Sequence, residues 1–567
     1  MELKKRIQEL MYEFVGTKTD TGSEHENNII HFFNNWFRHV ESIAKTHGTK
    51  IYAKCQSIPN DHLDRVVPWA LLKGSGDDTV VLIHHCDTVD TIDYKNLADI
   101  ALNPVKITQA FKNNQSELAS HVVDDLNSGD WIFGRGVADM KGGGAVHMAL
   151  FEEYAKMPDF KGNILLLSLV DEENLSAGAR AAASIMLELK NEHRLNYKLT
   201  LDVESHERDP LSQLPIIHSG SIGKVMPVAY VRGKLAHGGF IFKGLNPVSL
   251  LSEIVRRTEL SPDFVEVLGN TASPPPAWLY FKDSKKVYDV SLPDAAIGYM
   301  NVLTLEKTPM DIMDILHKES VAAFNDTIER MKARYEAYKA KAPGKIEPMP
   351  DWQVKVIYFA DLYKQKESTE GFIQAFNRLQ KKVQMKLALI ENYNSIDAIN
   401  ELIEMTLNYS SGDNVEIDNS PVVVLALSPP YYPAVSLEQL ERDNALDATK
   451  INELLKTACA EMKDKFGEDY TTESIYTGIS DLSYAMHTLN DTQKDDLQNN
   501  MLLWDKTSEG ANEYYIPFDK IKEVSTPVLN IGPWGKDIHK YTERVYLPDL
   551  YEKTPYLTNF IIKSILG

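Results

Sequence analysis

Short runs of apolar residues alternate with helical patterns over the first part of the chain. Continuous runs rich in Val, Ile and Leu occupy residues 79–85, 163–170 and 198–204. Such runs are typical of strands that helices cover on both faces. Helical patterns at residues 145–157 and 176–193 separate the three runs. This order of strand, helix, strand and helix predicts an α/β sheet with crossover connections.

The pattern changes near residue 220 and later changes back. Strand-like alternation from residue 221 leads to an amphipathic helix at 246–260, and mostly helical, strongly charged sequence follows from 309 to about 410. Buried-strand composition returns at residues 420–433 and again at 526–533. The return of this composition predicts one domain that is split by an insertion.

We therefore predict two domains. Residues 1–220 and 416–567 form the split domain, and residues 221–415 form an inserted α+β domain that is enlarged by extra helices. The chain opens on an amphipathic helical pattern interrupted by charges, which does not fit a signal peptide.

Composition limits the class of partner and the compartment. The 567 residues carry 81 acidic and 60 basic side chains, a formal net charge of −21, so nucleic acid and anionic membranes are poor partners. No run approaches the roughly 18 apolar residues that a membrane-spanning helix needs. The 3 cysteines are too few for a disulfide framework and fit a reducing compartment. We expect a cytoplasmic globular protein.

Histidine or carboxylate residues follow the predicted strands or stand in turns at five places. These are residues 84–87, the glycine-rich segment 134–144 around Asp139, and residues 171–173, 202–204 and 534–543. Taken singly, each has an ordinary structural interpretation: a chance pair, a turn, a solvated loop or a surface histidine. Ligands of open α/β sheets bind outside the carboxyl ends of the strands. The five segments together predict a pocket that holds two divalent metals through a shared Asp.

These segments resemble the motifs of the M20 metallopeptidase family in order and spacing. The motifs are HHCDTVD from residue 84, GRGVADMKGGG from 134, DEENLSAGAR from 171, LDVES from 201 and GKDIHKYTERVY from 535. The last motif, SGSIGK at 219–224 and the enlarged insertion are most similar to the RocB, or arginine-utilisation, branch. The resemblance implies a zinc-peptidase-like mixed α/β sheet flanked by helices, with an inserted lid domain.

The resemblance also implies a set of metal ligands. His85 and Asp202 resemble the ligands of one ion, Glu173 and His539 those of the other, and Asp139 the bridge between them. The ions are most simply Zn²⁺, with Co²⁺ or Mn²⁺ as alternatives. Glu204 competes with Asp202, which we prefer because it follows the apolar run directly. A cis peptide bond after Asp139 is a further implied feature.

Three further residues resemble the family's catalytic groups. Asp87 resembles the carboxylate that orients His85, and Glu172 resembles the general base. His237 resembles the lid histidine that polarises the substrate carbonyl, often from the partner subunit of a homodimer. Its alternative interpretation is a turn histidine before two glycines.

The substrate is less well defined by the sequence. Many members of the family hold a free carboxylate with an Arg, but the matching segment here, TGISDLS at 477–483, has no Arg. The acidic surface and the RocB likeness favour a cationic or arginine-derived amide, either a small peptide or an N-acyl amino acid. An N-deacetylase, an N-carbamoyl hydrolase and a non-catalytic metal-binding scaffold are the alternatives, and the presence of Glu172 argues against the scaffold.

Overall fold

A computed structural model describes residues 2–342, 344, 346–390, 392–410, 419–442, 448–504 and 514–567. The predicted domain boundary at residues 415 and 416 lies outside the described residues.

Strands and helices alternate up to the end of the predicted first segment. The strands are β1 (Lys50–Ser57), β2 (Val66–Lys73), β3 (Asp78–His85), β4 (Trp131–Phe133), β5 (Asn163–Leu169) and β6 (Asn196–Asp202). The helices are α1 (Glu2–Gly16), α2 (Asn28–His47), α3 (Pro104–Asn113), α4 (Ser120–Ser128), α5 (Lys141–Ala155) and α6 (Ala177–His193). The three apolar runs thus form β3, β5 and β6, as the sequence predicted.

The middle of the chain has its own strands and helices. The strands are β7 (Ile216–His218), β8 (Gly220–Ser221), β9 (Gly223–Arg232), β10 (Val267–Leu268), β11 (Thr271–Ala272), β12 (Ala277–Asp283), β13 (Ala295–Thr304), β14 (Val356–Tyr358), β15 (Val422–Tyr432) and β16 (Val435–Ser436). The helices are α7 (Pro247–Thr258), α8 (Pro309–Lys341), α9 (Phe359–Glu367), α10 (Phe372–Leu389) and α11 (Ser395–Asn408).

The last part of the chain returns to the first sheet. Its strands are β17 (Thr471–Glu473), β18 (Val528–Asn530), β19 (Gly535–Lys536) and β20 (Arg544–Tyr546). The first two join that sheet, and the last two form a small sheet with β4. Its helices are α12 (Leu437–Arg442), α13 (Ala448–Phe466), α14 (Asp491–Asn500), α15 (Phe518–Val524) and α16 (Thr554–Leu566).

Among the described residues, eight strands form the first sheet, in the order β1-β2-β5-β3-β6-β18-β7-β17. β3 pairs in parallel with both β5 and β6, and β6 pairs in parallel with β18. β2 pairs antiparallel with β1 and β5, so the sheet is mixed, as predicted. The parallel centre places the carboxyl ends of β3, β5 and β6 at one edge, where ligands bind in such sheets.

A second sheet, in the order β12-β13-β9-β15-β14, forms the core of the middle part. Apolar residues of α7 and α8 pack on one face of this sheet, within the large core that extends into the first sheet. Apolar residues of α9, α10 and α11 pack on the other face. The part of the charged helical region that follows α8 therefore covers the second face of the lid sheet.

The structure differs from the prediction at residues 420–433, which we assigned to the first domain. This segment forms β15 and pairs antiparallel with β9 in the second sheet. Its all-apolar composition correctly indicated burial on both faces, but not which sheet it joins. Because helices cover both faces of the lid sheet, its inner strand β15 has the same composition as a strand of the first sheet.

The two crossings between the sheets lie side by side. Val435 pairs with Ser221, and Ser436 pairs with Gly220, in a short antiparallel ladder between β16 and β8. The chain therefore leaves the lid sheet near residue 435, later than the predicted 415–420. The chain passes towards the lid sheet at β8, which begins at Gly220.

Glycines at the start of α5 let this helix approach the strand ends closely. A Cβ atom at Gly143 would lie 2.4 Å from the carbonyl oxygen of Val203, and one at Gly142 would lie 2.2 Å from that of Val137. Real Cβ atoms do not approach backbone oxygens this closely. The glycine-rich segment thus brings Asp139 to the end of β6.

Candidate metal centre

Five separate segments converge at the carboxyl edge of the first sheet. His85 is the last residue of β3, and Glu173 lies in the turn after β5. Asp139 lies just before α5, Glu204 follows β6, and His539 lies between β19 and β20. The crossover connections of the sheet bring these residues to one edge.

One carboxylate lies between two imidazoles at the centre of this group. Asp139 Oδ1 is 2.8 Å from His85 Nε2, and Asp139 Oδ2 is 2.9 Å from His539 Nε2. Glu173 Oε1 lies 3.0 Å from His539 Nε2, and Glu204 Oε1 lies 3.3 Å from His85 Nε2. Each oxygen of Asp139 therefore faces its own pair of one imidazole and one carboxylate.

The donor set fits divalent metal ions. His85, Asp139 and Glu173 each offer a ligand atom, and these atoms lie within 4.8 Å of one another. Imidazole nitrogen and carboxylate oxygen together suit Zn²⁺, Co²⁺ and Mn²⁺. The peptide bond between Asp139 and Met140 is cis, as the resemblance implied.

The electrostatics of the site also favour cations. Burial raises the pKa of Glu173 and of Glu204, and the negative charge of Asp139 raises both further. Hydrogen bonds to Asp139 and Glu173 raise the pKa of His539 to about 10. Buried carboxylates require positive charge nearby, which either imidazolium protons or metal ions provide.

Asp87 contacts both His85 and the turn that carries Glu172 and Glu173. Its backbone carbonyl oxygen lies 3.1 Å from Nδ1 of His85, and its carboxylate Oδ1 lies 3.6 Å from the same atom. The carboxylate accepts hydrogen bonds of 3.2 Å from the backbone amides of Glu172 and Glu173. Asp87 therefore orients the imidazole of His85 and fixes the turn that carries both glutamates.

The structure differs from the prediction at the fourth ligand position. Asp202 Oδ2 accepts a 2.6 Å hydrogen bond from Ser480 Oγ, and Asp202 Oδ1 accepts one from the amide of Val203. Glu204, not Asp202, contacts His85. β6 ends at Asp202, so the two-residue alternation of a strand no longer relates these two carboxylates.

His237 lies apart from the other predicted residues. It precedes the 3₁₀ segment Gly238–Lys243 on the lid, where its side chain is exposed and its Nδ1 accepts a hydrogen bond from Gly239. In the described part of the chain, no contact joins His237 to His85 or Asp139. This geometry matches the alternative interpretation, a turn histidine, within a single subunit.

Two residues near the site were not singled out from the sequence. Asp481 is 5 % exposed, and neither of its carboxylate oxygens has a hydrogen-bond partner among the described residues. Its pKa is raised by burial, against the influence of His85. The hydroxyl of Tyr432 donates to the carbonyl oxygen of Glu172 at 3.2 Å. Asp481 lies within the segment TGISDLS, from which the sequence analysis used only the absence of an Arg.

A buried arginine neutralises the first of the three consecutive carboxylates after β5. Arg65 Nη1 lies 2.5 Å from Asp171 Oδ1 and 3.1 Å from Glu26 Oε1. Its Nη2 lies 2.8 Å from Asp61 Oδ2. Asp171 adopts a positive φ of 66°, so this contact also holds the start of the turn that carries Glu172.

Comparison with known proteins now decides the family. The model of "Peptidase family M20/M25/M40" matches residues 111–523. The chain belongs to this family. Its fold and its family together make it a metallohydrolase of the kind that acts on amide bonds.

Relatives of known sequence cover most of the chain. The uncharacterized protein YqjN of Bacillus subtilis (strain 168) is 30 % identical over 493 residues, which are 86 % of this chain and 84 % of YqjN. Protein RocB of the same organism is 29 % identical over 510 residues, 88 % of this chain and 85 % of RocB. The chain is therefore an M20 family member close to the RocB branch.

A solved structure shares the fold. A tripeptidase from Staphylococcus aureus subsp. aureus Mu50 aligns over 99 % of this chain and 98 % of its own, with a TM-score of 0.51 and 14 % sequence identity. This likeness supports the predicted arrangement of a mixed α/β sheet with flanking helices. Among the described residues, no helix is long and apolar enough to cross a membrane.

Replacing Arg65 tests its contribution to the turn after β5. Because Arg65→Ala leaves the buried carboxylates of Asp171 and Glu26 without their cation, we expect the free energy of unfolding to fall by about 3–5 kcal/mol. Urea denaturation of the purified protein measures this change.

Arg256→Ala is the matched control, since Arg256 is 65 % exposed and its partner Glu253 keeps a second cation, Arg330, so the loss should be about 0–1 kcal/mol. Equal losses in the two variants would show that Arg65 has no special role.

Proposed function

We propose that the protein is a two-metal amide hydrolase that acts on a small peptide or an N-acyl amino acid. The observation that carries this proposal is the carboxylate of Asp139 between the imidazoles of His85 and His539. Such an arrangement suits a pair of divalent ions that share one carboxylate.

Five side chains would hold the ions. His85 and Glu204 would bind one ion, Glu173 and His539 would bind the other, and Asp139 would bridge them. We propose Zn²⁺ as the metal, with Co²⁺ or Mn²⁺ as alternatives. When bound, the ions supply Lewis acidity that activates a water molecule and polarises an amide carbonyl.

Glu172 would act as the general base. Its carboxyl is buried beside the ligands, and burial raises its pKa well above the usual range. A raised pKa suits a carboxylate that accepts a proton from water and then delivers it to the leaving nitrogen. The amide of Glu172 is fixed by Asp87 and its carbonyl by Tyr432, so the backbone positions the base.

The exposed edge of the lid sheet supports a homodimer. β12 is the end strand of this sheet, and Leu279 and Phe281 on it are 57 % and 43 % exposed. His237 lies by the loop that connects β12 to β13, because the amide of Gly238 donates to the carbonyl of the exposed Val290 in that loop. A second copy docked there would cover this apolar edge. We propose that it would also bring His237 towards the partner's metal centre, where the imidazole would support the substrate oxyanion.

The proposed substrate is a cationic or arginine-derived amide used in arginine or amino-acid catabolism. Similarity to RocB and the net charge of −21 support this choice. A panel of dipeptides and N-acyl amino acids, tested with Zn²⁺, Co²⁺ and Mn²⁺, would identify the substrate. Binding of two metals without hydrolysis of any amide would instead support a non-catalytic scaffold.

The variant Glu172→Gln tests the base. We expect turnover to fall by about 10²–10⁴-fold, because the amide cannot accept the proton, while two metal equivalents remain bound. Steady-state kinetics and elemental analysis measure the two quantities. Glu188→Gln, on the surface of α6, should leave both unchanged. Retained turnover in Glu172→Gln would remove Glu172 from the base role.

The pair Glu204→Ala and Asp202→Asn tests the fourth ligand. Since Glu204 faces His85 and Asp202 is bound by Ser480, we expect the Glu204 variant to lose one metal equivalent. The Asp202 variant should keep both equivalents. The reverse outcome in elemental analysis would restore Asp202 as the ligand.

The variant Phe281→Glu tests the dimer. A charge on the edge strand should convert the dimer to a monomer in analytical ultracentrifugation and lower the activity, since His237 would no longer reach a partner. Leu389→Glu, at an exposed apolar position on α10, should leave the dimer intact. A wild-type protein that sediments as a monomer would contradict the proposal.

A further inference from the structure

Lys224 lies on the lid side of the proposed base. It is near the start of β9, where it pairs with Tyr432 of β15 across the sheet. Its ammonium lies 5.8 Å from the centre of the Tyr432 ring, and the hydroxyl of that ring contacts the carbonyl oxygen of Glu172. The paired strands β8 and β16, where the chain crosses between the first sheet and the lid sheet, lie close in sequence to Lys224 and Tyr432.

The ammonium of Lys224 has no ion pair with any carboxylate among the residues that the structure describes. Burial lowers the pKa of Lys224, and the negative charge of Glu172 opposes that shift without closing to a salt bridge. Burying an ammonium without a counter-ion costs free energy. A ligand with a negative charge would offset this cost at Lys224.

Neighbouring arginines do not offer the same free charge. Arg65 is bound by Asp171 and Glu26, and Arg135 by Glu543. Arg180 donates to the carbonyl oxygens of Leu175 and Tyr515. Compared with these three arginines, Lys224 is the cation whose side chain has neither an ion pair nor a hydrogen bond among the described residues, so its charge is available to a ligand.

Residues 477–483 lack the arginine with which many relatives bind a free substrate carboxylate. Ser483 stands where many relatives carry the Arg that holds a free carboxylate, and it contacts Ser221 and Ile222 instead. A negatively charged substrate end in a buried site needs a positive group to pair with it. A substrate such as a dipeptide or an N-acyl amino acid carries its α-carboxylate one carbon from the scissile nitrogen, so the carboxylate must lie near the base.

We propose that Lys224 is the residue that binds the free carboxylate of the substrate and selects for it. The ammonium would donate charge-assisted hydrogen bonds to the carboxylate oxygens while the amide carbonyl lies at the metal centre. This inference rests on the proposed hydrolysis of small amides and adds a defined requirement to it: the substrate carries an acidic end next to the amide.

The test compares an N-acetyl amino acid with the carboxamide of the same compound. For Lys224→Met we expect KM for the acid to rise at least about tenfold, because one charge-assisted contact is lost, and the carboxamide kinetics to stay unchanged. Lys224→Arg should recover much of the preference for the acid and also guards against misfolding of the first variant. Lys198→Met removes a lysine that faces Asp78 at the far end of β6, and it should leave the preference intact.

Equal losses on acid and carboxamide, or a loss in kcat alone, would overturn the proposal and assign Lys224 to the reacting centre or to the fold. If the wild-type enzyme hydrolyses neither compound, the proposed function fails separately, and calorimetric binding to the metal-loaded protein replaces kinetics. Tighter binding of the acid by the wild type that is lost in Lys224→Met would then support the proposal. Equal binding of both compounds by the wild type would overturn it.

Discussion

The carboxylate of Asp139 is the point on which the rest of the site depends. Its two oxygens face His85 and His539, which come from opposite ends of the chain. The late strand β18 pairs with β6 in the first sheet, and the segment after it carries His539 to the same carboxylate as His85. The proposed pair of cations would offset the mutual repulsion of Asp139, Glu173 and Glu204, which disfavours their joint burial.

The backbone around Asp139 is held from several directions. Glu543 accepts hydrogen bonds from the amides of Ala138 and Asp139, at 3.2 and 3.3 Å, and is itself paired with the buried Arg135 at 2.8 Å. Ser205, one residue after Glu204, donates to the carbonyl oxygen of Ala138 at 2.7 Å. The proposed bridge and a proposed ligand are thus linked through the backbone.

Much of this arrangement could be predicted from the sequence because strand ends leave a clear pattern. The apolar runs before His85, Asp171 and Asp202 predicted β3, β5 and β6, and the carboxyl-edge rule placed their following residues together. The same pattern failed where local geometry decides. Alternation along a strand cannot distinguish Asp202 from Glu204 once the strand has ended.

Long-range pairing was the other part that the sequence did not reveal. The composition of β15 showed double-sided burial but not its partner β9, because the helices α9 to α11 make the lid sheet as buried as the first sheet. Likewise, the three carboxylates after β5 indicated a nearby positive charge, yet Arg65 lies far away in sequence and no spacing rule identifies it.

The most direct measurement of the central claim is anomalous scattering from crystals grown with Zn²⁺ or Mn²⁺. Convergence of the five segments on a shared carboxylate predicts two anomalous peaks, about 3.5–4 Å apart, on either side of Asp139. A single peak, or two peaks away from Asp139 and the imidazoles of His85 and His539, would contradict the account.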